Sequence, residues 1–253
     1  MILDMFKLDG RAAVVTGANT GLGQGMAIAL AQAGAKVVGV ARRECDETKA
    51  LIEKDGGQFV EVRADLSDMQ SVQKVLDESL NAYGRVDILV NNAGLIKRQD
   101  AIEFNEDNWD SVIQVNQKMV FFLSQAFAKQ FIKQQSGGKI INVCSMLSYQ
   151  GGIRVPSYAA SKSAVMGLTK AMANEWAKYN INVNGIAPGY MATNNTAQLR
   201  ADGDRNEAII DRIPAGRWGT PEDMQGAVVY LASAASDYVN GFVLAVDGGW
   251  LAR

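Results

Sequence analysis

Seven short β-branched runs, separated by helical patterns, constrain this chain more than any other feature. Ala12–Val15, Lys36–Val40, Phe59–Val62, Val86–Val90, Lys139–Val143, Ile181–Ile186 and Phe242–Val246 read as strands. Helical patterns lie between them, for example Gly23 to Ala33 and Met69 to Tyr83. Strand–helix alternation means βαβ units, right-handed crossovers and a parallel sheet covered on both faces. No internal repeat, low-complexity tract or Pro-rich linker interrupts the 253 residues, so one α/β domain is expected over 1–253. With 48% hydrophobic and 21% charged residues, the chain can build a core of that size and is not disordered by composition.

Charge and composition exclude several roles. A net charge of −2 without a basic run argues against nucleic-acid binding. No apolar run is long enough to span a bilayer, so no membrane partner is expected. The first residues, Met1 to Gly10, carry acids where a signal peptide needs a basic stretch and an apolar core, so a cytoplasmic location is expected. Cys45 and Cys144 lie far apart, and the chain has no histidine, so no metal site is expected. Both cysteines read as reduced thiols, with Cys144 buried.

The missing histidine also removes the commonest general base. Tyr158-Ala-Ala-Ser-Lys162 offers a substitute: a phenol and an ammonium one helical turn apart, on one face. A cation held near a phenol favours the phenolate. Surface helices carry such pairs by chance, so the neighbours decide. Ser145 lies thirteen residues upstream of the tyrosine.

A glycine-rich turn, Thr16-Gly17-Ala-Asn-Thr-Gly21-Leu-Gly23, follows the first strand and opens a helix. Glycines there let backbone approach a pyrophosphate, and the helix N-terminal amides face the phosphates. Gly17, Asn19, Thr20, Gly21, Leu22 and Gly23 are therefore candidate dinucleotide contacts. The spacing is G-x-x-x-G-x-G rather than G-x-G-x-x-G. At the end of the second strand, where an acid often binds the ribose hydroxyls, the chain reads Ala41-Arg42-Arg43. An arginine suits a ribose 2′-phosphate, which leans toward NADP(H) with Arg42 as the first contact. The alternative is that both arginines simply sit in solvent. Between the last two strands, residues 189–219 form a long polar, turn-rich segment. It reads either as a substrate-side lid beyond the strand ends or as a mobile surface loop.

Taken in order, the glycine turn, Asn91-Asn92-Ala93-Gly94, Asn116, Ser145, Tyr158-x-x-x-Lys162 and Pro188-Gly189 resemble the short-chain dehydrogenase/reductase family over the whole chain. That resemblance implies a Rossmann-type doubly wound sheet of about seven strands and an NAD(P)(H)-dependent oxidoreductase. It implies that Tyr158 exchanges a proton with the substrate oxygen and that Lys162 favours the phenolate and binds the nicotinamide ribose. Ser145 would orient the reacting oxygen, and Asn116 would hold a water for proton release. Asp65 and Leu66 would flank the adenine. Asn92, Ala93 and Gly94 would line the cofactor, and Pro188, Gly189 and Thr193 would meet its nicotinamide end.

A narrower resemblance links Ser145 to Tyr158, Ala187 to Thr196, Arg212 to Gly219 and Val246 to Arg253 with the 2-deoxy-D-gluconate 3-dehydrogenase group. Members of that group, also called 2-dehydro-3-deoxy-D-gluconate 5-dehydrogenases, interconvert a hydroxyl and a ketone on a deoxy sugar acid. They are mostly described as NAD-linked, against the lean of Ala41-Arg42-Arg43. A sugar acid needs a cation for its carboxylate. Arg154 is the first candidate, with Arg98 (beside Lys97) and Arg217-Trp218 behind it, and Gln150, Tyr190, Met191 and Asn194 as hydroxyl or shape contacts.

The resemblance also implies a homotetramer or homodimer built on the helix that carries Val165, Leu168, Met172 and Trp176, much of that stripe being core. The apolar end, Gly248 to Arg253, is expected at a subunit interface or near a neighbouring active site. Two other readings stand: a 3-oxoacyl-acyl carrier protein reductase or other short-chain ketoreductase, and a non-catalytic module that senses dinucleotides.

Overall fold

In the computed structural model, which describes residues 1–253, every strand runs parallel to its neighbours. The strands are β1 (Ala12–Thr16), β2 (Lys36–Ala41), β3 (Phe59–Arg63), β4 (Ile88–Asn91), β5 (Gly138–Val143), β6 (Ile181–Pro188) and β7 (Val243–Val246). They lie in the order β3-β2-β1-β4-β5-β6-β7, the doubly wound α/β sheet expected of the sequence. Nine α-helices connect or extend them: α1 (Gly21–Gln32), α2 (Asp46–Lys54), α3 (Ser71–Tyr83), α4 (Glu106–Ile113), α5 (Met119–Gln134), α6 (Pro156–Trp176), α7 (Ala197–Ala201), α8 (Gly203–Arg212) and α9 (Gln225–Ala232). No helix is long and apolar enough to cross a membrane.

The two-residue period of a strand sorts the core into two layers. Ala13 and Val15 of β1, with Val37 and Ala41 of β2, face the layer that holds Met26, Leu30, Val228 and Leu231 of α1 and α9. Val14, Val38 and Val40 face the opposite layer, with Val75 of α3, Leu123, Phe127 and Phe131 of α5, and Met172 of α6. Val165 and Met172 of the stripe on α6 are buried, and Leu168 and Trp176 pack against the second layer, so most of it is core.

Several element ends shift from their sequence-based positions for local polar reasons. The sequence predicts β4 from Val86, but Val86 donates its N–H to Gln134 Oε1, and the ladder starts at Ile88. The helix expected from Met69 starts at Ser71, because Asp68 accepts the Gln70 N–H and forms a turn first. Phe242 gives its N–H to the Asn184 side chain, and β7 begins one residue later.

Asp87 fixes the amino edge of the sheet. Its carboxylate is buried at 2% exposure. It accepts the Ala12 N–H at 2.9 Å, Arg85 Nε at 2.8 Å and Arg11 Nη1 at 3.1 Å. Burial pushes this carboxyl upward, but the hydrogen bonds from Arg85, Ala12 and Arg11 outweigh it, and the group titrates below the ordinary Asp value. A lowered folded value stabilises the fold above the unfolded value of roughly 3.9 and is lost as pH falls through the folded one. Asp87→Asn is therefore expected to cost about 2 kcal/mol at neutral pH. Urea melts across pH 2–7 should show wild type and variant converging as the pH drops below roughly 4.

Candidate active site

The sheet reverses its winding between β1 and β4, and their carboxyl ends open a crevice where ligands of such sheets bind. Thr16, the last residue of β1, closes the floor. Its Oγ1 accepts the N–H groups of Asn92 at 3.0 Å and Ala93 at 2.9 Å. It also contacts the Val90 carbonyl at 3.3 Å. Asn92 Nδ2 returns a bond to the Thr16 carbonyl at 2.8 Å. The glycine turn lies over this floor. A Cβ on Gly23 would stand 2.1 Å from the Gly17 carbonyl oxygen and 2.5 Å from Asn92 Nδ2. Gly17 has φ +68°, and its own Cβ would meet Asn92 Nδ2 at 2.9 Å. Thr20 caps α1 in extended backbone. The cradle thus consists of backbone and helix N-terminal amides, the donor set that suits a pyrophosphate. The Thr193 methyl reaches this turn, 3.5 Å from where a Gly21 Cβ would be.

At the ribose side, Ala41 ends β2 buried, while Arg42 and Arg43 are exposed. Asp65 spends its carboxylate on Ser67, accepting the N–H at 2.9 Å and the hydroxyl at 2.8 Å, and this holds it below the ordinary Asp value. Leu66 is buried in the core layer behind it.

The Tyr–Lys pair starts the long helix α6, which Pro156 opens at a position where no N–H is needed. Lys162 is buried, and its Nζ lies 5.7 Å from the Tyr158 ring centroid. The ammonium donates to the Val143 carbonyl at the end of β5. Ser145 follows that strand, 7% exposed. Its Oγ accepts the Leu147 N–H at 3.1 Å, so the hydroxyl proton stays free to be donated. Ser148 ties the two segments, with its hydroxyl 2.7 Å from the Lys162 carbonyl and 3.3 Å from the Ser145 N–H.

Asn116 sits in a π turn, Gln114–Lys118, between α4 and α5. It is fully buried, and its side chain is fully committed. Oδ1 accepts the Leu95 N–H at 2.9 Å, and Nδ2 donates to the Leu95 carbonyl at 2.9 Å and to Ser161 Oγ at 3.2 Å. Ser161 Oγ in turn donates to the Tyr158 carbonyl at 2.8 Å. The amide therefore braces the segment after Gly94 and the start of α6. Ser148 and Ser161 were not legible as site residues. Their signal was present in the spacing of hydroxyls around Ser145 and Lys162.

Residues 189–219 leave the sheet after β6, and the two ends of the excursion pair with each other. Ala192 donates to the Gly219 carbonyl at 2.7 Å, and Gly219 donates to the Tyr190 carbonyl at 2.9 Å. Gly189 lies against Asp247, where a Cβ would stand 2.6 Å from its Cα. Helices α7 and α8 lie within this excursion. Tyr190 packs edge-on to Trp218 at 5.4 Å and to Trp250 at 4.7 Å.

The apolar chain end packs inward at Trp250. It docks on its own chain: Trp250 is buried with Met146, Ile209 and Ile213, and Arg253 reaches the Asp211 carbonyl. The sequence showed an apolar end without showing that α8 offers it a face. The Arg212 guanidinium also covers the Trp250 ring at 3.9 Å, a contact the sequence did not disclose.

The candidate substrate cations separate in this structure. Arg217 is held by both oxygens of Asp223 at 2.7 Å, at the exit of the 189–219 segment. Arg98 reaches the Asn195 carbonyl at 3.3 Å. Arg154 pairs through Nε with Asp100 at 2.9 Å, both side chains being more than half exposed. It also holds φ +64°, a region that favours glycine, so the loop keeps an arginine there at a conformational cost. Gln150 lies half-buried between Ser148 and this loop.

Known proteins place these features together. A family model described as short chain dehydrogenase matches residues 11–204. The chain is 63% identical to a 2-dehydro-3-deoxy-D-gluconate 5-dehydrogenase of Dickeya dadantii, over the full length of both. A solved structure from Agrobacterium tumefaciens, named as a candidate 2-deoxy-D-gluconate 3-dehydrogenase with bound NADP, is 57% identical. It superposes with a TM-score of 0.93 over 98% of this chain and 99% of that one. A candidate NAD(P)-dependent gluconate 5-dehydrogenase from Beutenbergia cavernae, also with NADP, is 50% identical, with a TM-score of 0.94 over 98% of this chain and 100% of its own.

The cradle makes a direct demand on Gly23. Gly23→Ala is expected to lose dinucleotide binding at least tenfold, because the methyl must displace the Gly17 carbonyl, and to destabilise the fold by about 2 kcal/mol. Fluorescence titration with reduced coenzyme and a thermal melt check the two effects separately.

Proposed function

Because this chain belongs to the short-chain dehydrogenase family, we propose that it is an NAD(P)-dependent oxidoreductase interconverting a secondary alcohol and a ketone on a deoxy sugar acid. The substrate class is that of 2-dehydro-3-deoxy-D-gluconate, as in uronate and pectin breakdown. The observation that carries the reading is the buried Lys162 ammonium 5.7 Å from the Tyr158 ring centroid, in a chain whose glycine turn has no room for a Cβ at Gly17 or Gly23. The names of its similar relatives support the substrate class.

In this reading Gly17 to Gly23 and the N-terminus of α1 hold the pyrophosphate, with Asn92 to Gly94 and Thr193 along the dinucleotide. A bound nicotinamide supplies or accepts the hydride. Tyr158 donates its phenolic proton to the ketone oxygen on reduction and takes it back on oxidation. Lys162 sets a positive charge beside the phenolate that remains. Ser145, whose proton is uncommitted, donates to the same oxygen and fixes its direction. The Asn116 main chain holds the water that relays protons outward, because its side chain is spent on Leu95 and Ser161. Arg154 and Gln150 face the substrate's carboxylate and hydroxyls, and 189–219 acts as the lid.

Exposed, unpaired Arg42 and Arg43 favour NADP(H) over NAD(H). A homotetramer or homodimer in the cytoplasm completes the reading. Phe122 and Ile132 on α5 are 38% and 40% exposed and suit a partner subunit. Both thiols are free and buried, and burial pushes each up to about 11, which suits a reducing compartment.

Initial rates with both coenzymes against 2-dehydro-3-deoxygluconate, gluconate and a 3-oxoacyl thioester test the substrate class. Faster turnover of the thioester would defeat it. Tyr158→Phe is expected to lower kcat at least a thousandfold while coenzyme binding changes less than threefold. A parallel loss of binding would remove the tyrosine from proton transfer. Arg154→Ala is expected to raise KM for the sugar acid about tenfold and to spare a neutral ketone. Equal losses on both would make Arg154 a loop tie.

A further inference from the structure

The edge of the sheet at β2 and β3 carries more charge than a coenzyme contact at Arg42 requires. Arg63 ends β3 directly opposite Ala41. Its guanidinium is divided between two carboxylates, with Nη2 2.7 Å from Glu44 Oε1 and Nε 2.6 Å from Glu61 Oε1. The second oxygen of Glu61 accepts the Cys45 N–H at 2.6 Å, where the chain turns into α2. One carboxylate therefore couples Arg63 to the backbone that follows Arg42 and Arg43. The Arg63 hydrogen bond is also the main reason that the Glu61 carboxyl titrates below the ordinary Glu value. The Lys74 ammonium holds the Arg63 carbonyl at 2.6 Å and so fixes the end of β3.

These contacts sort four neighbouring charges. Glu44 and Glu61 are occupied by Arg63, while Arg42 and Arg43 remain exposed and outside both pairs. Without Arg63 the two carboxylates would be free to pair with Arg42 and Arg43, and they would repel a phosphate approaching the end of β2. We infer that Arg63 is a specificity-determining positioning residue: by masking Glu44 and Glu61, it keeps Arg42 and Arg43 available to the 2′-phosphate of NADP(H). The inference rests on the reading that a nicotinamide dinucleotide occupies the glycine turn.

The test is the ratio of dissociation constants for NADPH and NADH, from fluorescence titration at low ionic strength. R63A is expected to shift that ratio about tenfold toward NADH, and added salt should shrink the shift. In the R63A background, E44Q/E61Q should restore the ratio, because the unmasked carboxylates are then gone. R63A weakening both coenzymes equally, or no restoration, overturns the assignment and leaves Arg63 a structural tie. E44Q/E61Q with Arg63 intact gives an independent check that does not require R63A to fold. Its ratio should stay at or above that of wild type, since the double change removes two carboxylates and frees the Arg63 cation; a shift toward NADH there overturns the assignment. A wild type that prefers NADH would count against the NADP reading alone, because Arg63 is judged by the change in ratio.

Discussion

The hydroxyl of Thr16 is the interaction on which the rest of the site depends. A parallel sheet gives no hairpin to hold two strand ends together, and the switch point needs the ends of β1 and β4 kept close but open. One oxygen does this by accepting two successive N–H groups of the 92–93 turn, while Asn92 Nδ2 binds back to the Thr16 carbonyl. That amide is also the wall against which Gly17 and Gly23 are packed. Strand pairing, phosphate cradle and glycine requirement are therefore one arrangement, and the tightness of one sets the tightness of the others.

A second polar array carries the position of that floor across the sheet to α6. Asn91 Nδ2 donates to Ser124 Oγ and to Asn142 Oδ1, each at 2.9 Å. Asn142 Nδ2 donates to Thr169 Oγ1 at 2.9 Å, and Thr169 bonds the Val165 carbonyl. All four side chains are buried, so an unpaired member would be costly, and each has a partner. The array joins β4, β5, α5 and α6. Lys162 closes the same unit by donating to the Val143 carbonyl. Buried amides hold the Tyr158–Lys162 pair on α6 in register with β5, where apolar packing alone would allow sliding.

Most of this was legible in the sequence because it follows from periodicity and from residue types with few alternative uses. The alternation of strands and helices gave the sheet, and glycines after the first strand gave the cradle. Tyr158 and Lys162 stand out as a phenol and an ammonium one helical turn apart, whereas Ser145 and Asn116 take their roles from the family resemblance. The uses of individual polar groups were not legible. The Asn116 amide is tied to Leu95 and Ser161, partners that its position in the sequence does not disclose. Arg217 reads as a substrate cation, but Asp223, six residues on, takes both its terminal nitrogens. Partner choice depends on which groups the fold brings within about 3 Å, and spacing along the chain does not encode that for loops. The intrachain partners of Trp250 lie on α8 and after β5, likewise far from it along the sequence.

The two ends of the crevice use charge in opposite ways. At the substrate end, the segment from Gly189 to Gly219 is closed by backbone hydrogen bonds at its root and covered by Tyr190, Trp218 and Trp250. Its root is held by aromatic packing, and Arg217 is spent as a tie to Asp223, while Arg154 shares only its Nε with Asp100. At the coenzyme end the surroundings are exposed and polar, and affinity there depends on which of several adjacent charges stay unpaired. A parallel sheet places β2 and β3 side by side with their carboxyl ends level, so a residue that ends β3 sits beside the one that ends β2 whatever the loops between them do. That register makes Arg63 a neighbour of Arg42 without sequence proximity. Coenzyme choice in such a sheet is then a property of two adjacent strand ends, and reading the end of β2 alone captures only half of it.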